Sequence, residues 1–293
     1  MSATPSEVFP HVVIAGAGPA AQALVRRLAG TADGGDRTFR GSITLLSNRD
    51  DYPQALLEIA ELPHVSVRFG QAASFIDAGA KIVTTTDGME FSYDQLVIAT
   101  GSAPVLPPVA GAEAGLSYST IDDAAGLGEA VKDIAGTVGR RPLGILVGTG
   151  PAAGQAEAVL RARGVRPVRT TLRPAAVVNS AAVPEVVPAT RATGILFEDG
   201  SSMKGDLVVI AEERVARNEL ALSAGLDIGH DGGIAVGRNL ATSLPGIWAI
   251  GDAASCDGFR LGLLLSAESS AMLCASGILS AAMGAEREAL QAA

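Results

Sequence analysis

Twice along the chain an apolar run of strand length meets a Gly-x-Gly turn and then an alanine-rich amphipathic segment. The first copy, residues 11–30, is HVVIAGAGPAAQALVRRLAG, and the second, residues 143–164, is LGILVGTGPAAGQAEAVLRARG. Each reads as strand, tight turn and helix, with arginines near the helix C-terminus, where the macrodipole favours cations. Each copy also has a later strand, an acidic turn and a second apolar strand. These are KIVTTTDGMEFSYDQLVIATG at residues 81–101 and TGILFEDGSSMKGDLVVIAEE at residues 193–213. Two such units point to an α/β fold. The length of 293 residues suits two domains at about 100–200 residues each.

Composition removes several classes. The chain is 48% hydrophobic and 18% charged, the opposite of a disordered segment. A net charge of −9 leaves no basic footprint, so nucleic acid is not an expected partner. Cys256 and Cys274 stand 18 positions apart and form neither a CxxC pair nor a zinc framework. The first ten residues lack a charged stretch followed by an apolar one, which argues against a secretory signal. The longest apolar tract, residues 262–284, contains Glu268 with several serines and glycines, too mixed for a membrane span. A soluble, cytoplasmic protein is expected. Pro104, Pro107, Pro108, Gly111 and Gly115 mark a linker between the halves, and a long small-residue helix is expected to follow GIWAIGDAA, residues 246–254.

A Gly-x-Gly turn after a buried strand lets the backbone approach a pyrophosphate, which then faces the free N–H groups and positive dipole end of the next helix. The two turns are Gly16, Ala17, Gly18, Pro19, Ala20, Ala21 and Gly148, Thr149, Gly150, Pro151, Ala152, Ala153. Alanine at the third glycine position is tolerated, because that residue only packs helix on strand. The fingerprint expects an acid after the second strand, to hold a ribose hydroxyl. The first half offers Ser47 or Asn48 instead. In the second half the strand ends near Thr171 and Arg173, and an arginine there suits a 2′-phosphate as well as it suits plain solvent exposure.

Three segments together resemble the pyridine nucleotide–disulphide oxidoreductase superfamily, the ferredoxin-reductase and NADH-oxidase-like members in particular. They are GAGPAA near the start, YDQLVIATGSAPVLPP at residues 93–108, and TSLPGIWAIGDAA at residues 242–254. The resemblance implies two Rossmann-like dinucleotide-binding domains, the second inserted in the first and shortened. It divides the chain into an FAD-binding domain, residues 1–115 and 226–293, and an NAD(P)-binding-like domain, residues 116–225. It implies FAD as cofactor, with NADPH or NADH as reductant if the second half works. Carried over by position, Ala99, Thr100 and Gly101 mark the exit from the FAD domain. Gly251 precedes Asp252, which the family places on the flavin's ribityl chain, a role compatible with capping the final helix. Ala73 is placed with the same cofactor-binding set.

The departures are equally specific. Residues 48–62 contain no cysteine, and they lack the lysine-bearing run of ferredoxin reductases. Gly148 to Asp206 spans 58 positions against 78 from Gly16 to Asp94, as if a helix and strand were missing. Residues 174–188 are too broken by proline to replace both. Glu213 stands where the family has a glycine, and a carboxylate beside a bound pyrophosphate would repel it. Nothing after the final helix matches the third domain of ferredoxin reductases. His11, His64 and His230 are read as surface residues, Cys256 and Cys274 as packing residues, and Glu268 as facing either water or the flavin region.

The reading is an FAD-dependent oxidoreductase, its flavin reduced by NAD(P)H or by a small organic substrate, with no catalytic acid or base assigned. The alternatives are a flavin oxidase working without nicotinamide, and a non-catalytic FAD- or nucleotide-binding subunit. Partners are a small-molecule substrate or a redox partner, with a homodimer open.

Overall fold

The computed structural model describes residues 10–30, 39, 41–105, 109–178, 193–211 and 213–292. The chain divides into two compact units, Met1–Ser102 with Ala216–Ala293, and Ala103–Val215. Both are α/β, as the duplicated motif requires, and each is built on a parallel sheet. The divisions lie earlier in the chain than residues 115 and 225, the boundaries that the resemblance implies. The reason is local. Residues 109–115 already belong to the inserted unit, Val177 donating its N–H to the Ala110 carbonyl at 2.8 Å. Arg217 instead donates its backbone N–H to Gly101 at 2.9 Å.

In the first unit five parallel strands run in the order Ile247–Ala249, Gln95–Ile98, His11–Ala15, Ser42–Leu46, Val65–Arg68. The central strand is covered on both faces, so residues 12–15 form an unbroken apolar run rather than an alternating one. The helix Pro19–Leu28 buries Ala20, Ala21, Leu24, Val25 and Leu28 as one stripe and ends on Arg26 and Arg27. Against it packs the final helix, Ala267–Ala292, through a face containing Ala271, Cys274, Ala275 and Ile278. A three-stranded antiparallel sheet, Ala73–Asp77, Ile82–Thr85 and Glu90–Ser92, completes the unit's main elements.

The final helix does not follow the Gly-Asp segment directly. A 3-10 turn at Gly251–Ala253, a hairpin of Ala254–Cys256 with Phe259–Arg260, and another 3-10 turn at Leu261–Leu263 intervene. The hairpin turns on Asp257 and Gly258, whose φ values are +51° and +81°. Asp-Gly is a favoured pair for a two-residue loop requiring positive φ at both positions.

The inserted unit has four parallel strands in the order Arg166–Thr170, Leu143–Val147, Leu207–Ala211, Leu116–Tyr118. The helix Gly150–Ala162 follows its central strand. Arg166–Thr170 is the sheet edge, where the first unit has another strand, Val65–Arg68, beyond the corresponding position. An antiparallel sheet of Pro174–Val178, Gly194–Phe197 and Ser202–Lys204 follows. The first residues of the proline-rich segment, Pro174–Val178, form a strand of this antiparallel sheet, with Pro174 at its first residue, where the missing donor is tolerated. Pro184 and Pro188 lie outside the described residues.

Candidate functional site: two glycine turns and a buried ion pair

Gly16 and Gly18 have different jobs in the first unit. Gly16 has φ +112°, and a Cβ there would lie 2.2 Å from the Ala99 carbonyl oxygen. Only glycine lets the turn pass this close to the neighbouring strand's exit. Its N–H donates to the Leu46 carbonyl at 2.9 Å. Gly18 has φ −72° and ψ 179°, extended backbone open to any residue. A Cβ at Gly18 would meet nothing within 4 Å. It precedes Pro19 at the first helical position, and no side chain caps the helix start. Proline costs nothing there, since that N–H would be unpaired in any case. The first N–H groups of a helix have no intrahelical partner. Ala17 contributes its carbonyl to Gln22 Nε2 at 2.9 Å, and Ala20 is buried.

Three segments converge at the C-terminal ends of the central strands, the crevice where strand order reverses and where ligands bind in open α/β sheets. Ala99 donates its N–H to Ala15 at 2.8 Å, immediately before the Gly16 turn. Ile250 donates to Ile98 at 3.1 Å. Gly251, at φ +64°, is so close to the helix that a Cβ on it would stand 3.1 Å from Ala20 Cβ. Thr100 and Gly101 are held by Arg217. The Thr100 hydroxyl donates to the Arg217 carbonyl at 2.7 Å, and Arg217 Nη1 donates to the Thr100 carbonyl at 3.3 Å. Ser47, at the end of its strand, is fully buried and accepts the Arg49 N–H at 3.2 Å, while Asn48 is exposed. Ala73 is half-buried in the antiparallel sheet, packed on the core.

Asp252 carries the densest electrostatics of the unit. Its Oδ2 accepts the Ser102 hydroxyl at 2.6 Å, and its Oδ1 lies 3.2 Å from Arg260 Nε. The two charged side chains are 13% and 11% exposed. Asp252 does not cap the final helix, which starts 15 residues later at Ala267 because the hairpin intervenes. Sequence reading missed both partners. Arg260 is recoverable from the Asp-Gly signal, since that hairpin pairs it with Ser255 and so returns it beside Asp252.

The inserted unit repeats the turn with different side chains on it. Gly148 has φ +140°, and a Cβ there would lie 2.5 Å from the Ala211 carbonyl oxygen. Thr149 stands at the N-cap of the next helix but makes no capping hydrogen bond. Its hydroxyl donates to Glu213 Oε1 instead. That same oxygen lies 3.4 Å from where a Cβ on Gly150 would be. Arg169 Nε donates to the Gly148 carbonyl at 3.1 Å. Arg169 is thus the arginine on this turn. Arg173 is exposed at the start of the antiparallel sheet, its carbonyl accepting the Glu198 N–H at 3.0 Å. The strand ends at Thr170, short of both Thr171 and Arg173.

His11 is no surface residue. It is half-buried, with Nε2 2.9 Å from the Thr44 hydroxyl. His64 and His230 are exposed, and so is Glu268, in the first turn of the final helix. Cys274 is fully buried, and burial pushes its thiol far above the ordinary range, while Cys256 is partly exposed. Among the described residues no helix is long and apolar enough to cross a membrane, and no group of three His, Cys, Asp or Glu is placed to hold a metal.

Comparison with known proteins agrees with this architecture. The chain is 31% identical over 218 residues to the assimilatory nitrate reductase electron transfer subunit of Bacillus subtilis, covering 68% of this chain and 28% of the relative. It is 28% identical over 291 residues to the nitric oxide reductase FlRd-NAD(+) reductase of Aeromonas hydrophila, covering 87% of this chain and 73% of the relative. The chain spans about a quarter of the nitrite and nitrate reductase subunits it matches. Among solved structures, a putidaredoxin reductase–putidaredoxin complex shares the fold with a TM-score of 0.55 at 21% identity, covering 92% of this chain and 75% of that one. Thioredoxin reductase of T. acidophilum gives a TM-score of 0.52 at 17% identity, covering 93% and 98%. The family model for pyridine nucleotide-disulphide oxidoreductases, enzymes that use FAD with NADH or NADPH, matches residues 10–169 and 149–288. The chain belongs to the pyridine nucleotide-disulphide oxidoreductase family.

Proposed function

We propose that this chain is an FAD-dependent oxidoreductase whose FAD is held by the first unit and whose second unit is the NAD(P)-binding-like one. The observation that carries the reading is the open space at Gly18, at an uncapped helix start beside the Gly251–Asp252 turn. That cradle fits a pyrophosphate, which needs close backbone approach and unpaired N–H groups. In this reading Gly16, Ala17, Gly18, Pro19 and Ala20 form the pyrophosphate turn. Of the strand-end pair, exposed Asn48 rather than buried Ser47 meets the adenosine ribose, and Ala73, Ala99, Thr100, Gly101 and Gly251 line the site.

Asp252 accepts a hydroxyl of the ribityl chain. The Ser102 and Arg260 contacts fix the carboxylate's orientation before the ligand arrives. Bound FAD supplies reversible hydride or electron acceptance, and the protein orients it and tunes its electronics. The reductant is NAD(P)H or a small organic substrate, with Gly148 and Gly150 available to a dinucleotide in the second unit and Arg169, rather than Arg173, beside their turn. Electrons pass to a small molecule or a redox partner protein, as the relatives' names suggest for those proteins. Two free cysteines fit a cytoplasmic setting. The test is an absorption spectrum of the purified chain, alone and with added FAD. A flavin spectrum bleached by NADPH, NADH or an organic donor is the expected result. Protein that neither carries nor takes up FAD removes the proposal.

A further inference from the structure

The molecule contains its own comparison for the second turn. In the first unit Ala15 pairs with Ile98, the chain continues through Ala99 and Thr100 to Gly101, and the Ala99 carbonyl lies against Gly16. In the second, Val147 pairs with Ile210, the chain continues through residues 211 and 212 to Glu213, and the Ala211 carbonyl lies against Gly148. Gly101 and Glu213 therefore occupy the same step of two equivalent turns. A Cβ on Gly101 would meet nothing within 4 Å, so the first turn is open at this step. At the second, the Glu213 carboxylate accepts the Thr149 hydroxyl and lies against Gly150, at the helix start.

We infer that Glu213 determines ligand affinity at the second turn, by competing with the pyrophosphate of a pyridine dinucleotide for the Thr149–Gly150 helix start. Two features of the second turn support competition rather than remote repulsion. Thr149, whose side chain would ordinarily cap the helix, is turned to the carboxylate. The loop is also anchored, Val105 donating its N–H to the Glu213 carbonyl at 2.9 Å. An anion at a helix start satisfies the same dipole and N–H groups that a phosphate would. A dinucleotide must displace it, which lowers apparent affinity by the population of the displaced state.

The inference rests on the nucleotide-binding reading of the second unit but not on flavin content. Its test is calorimetric titration of the full chain with NADH, NADPH and ADP-ribose, comparing the native protein with Glu213→Gln and Glu213→Gly. Glutamine keeps the size and removes the charge, and glycine removes the side chain altogether, as at Gly101 of the first turn. A gain in affinity of about tenfold or more, equivalent to roughly 1.4 kcal/mol, is expected for the glycine variant, with glutamine showing a smaller gain. If neither folded variant gains about tenfold for any of the three probes, the inference is overturned. A gain in protein that takes up no FAD would keep this inference while removing the flavin proposal.

Discussion

The Asp252 carboxylate and the Arg260 guanidinium stand 3.2 Å apart, at opposite ends of a short hairpin connection and almost out of contact with solvent. Neither charge would be tolerated there alone. Removing one partner of a buried pair costs about 3–5 kcal/mol, whereas replacing both with neutral groups is often close to neutral. Asp252→Asn should therefore lower the stability of the first unit by about 3 kcal/mol, and Arg260→Met in the same background should recover most of the loss. Trp248, the chain's one tryptophan, lies in this unit's sheet and reports its unfolding in denaturant. Additive losses in the double variant would refute the coupling.

The cysteines should be chemically unequal. Cys274 is fully buried in the final helix, where desolvation raises its thiol well beyond the usual range, so the reactive thiolate is scarce as well as inaccessible. Cys256 is partly exposed on the hairpin. Native protein should titrate one thiol with a disulphide reagent, and denatured protein two. Two rapid thiols without denaturant would contradict this burial.

Much of the architecture was legible because its signals are local. A buried strand, a glycine turn and an amphipathic helix announce themselves within about twenty residues, and both copies fold where they were read. What sequence alone did not give was long-range. The Ser102–Asp252 contact joins positions 150 apart, and the partners of Thr100 are 117 residues away. The Asp257–Gly258 hairpin carries a local turn signal, but residues 261–265, all leucine and glycine, read as the start of the final helix. Position in the motif points to Arg173, whereas the arginine at the turn is Arg169. Strand alternation could not say which arginine meets the turn, since that depends on where the strand ends.

Gly277 should be intolerant of any side chain. It lies in the final helix over Trp248, and a Cβ there would come within 2.5 Å of the indole ring. Helix propensity favours alanine over glycine by about 1 kcal/mol, yet overpacking a rigid ring costs about 1–3 kcal/mol. The second effect wins, because the ring is also held by its Nε1–H to Gln95 Oε1 at 2.8 Å. Gly277→Ala should destabilise the protein by up to about 2 kcal/mol and shift tryptophan emission. A more stable variant would show that the ring yields.

The two glycines of the first turn should separate folding from binding. At Gly16 a side chain would run into the Ala99 carbonyl at 2.2 Å, on backbone at φ +112° that other residues rarely adopt. Strain of this kind costs about 1–3 kcal/mol, and the steric insertion costs about as much again. Gly16→Val should therefore damage the fold itself, not merely crowd a bound pyrophosphate as position in the motif suggests. At Gly18 the backbone is extended and the space beyond is empty, so valine fits the free protein. Its methyl groups would nevertheless occupy the approach to the uncapped helix start. Gly18→Val should keep its circular dichroism and unfolding midpoint while losing FAD affinity by about two orders of magnitude, a loss of roughly 2.8 kcal/mol. Measuring both variants by thermal unfolding and FAD fluorescence decides the matter. A Gly16 variant that folds normally, or a Gly18 variant that binds FAD like the native chain, would reverse these roles.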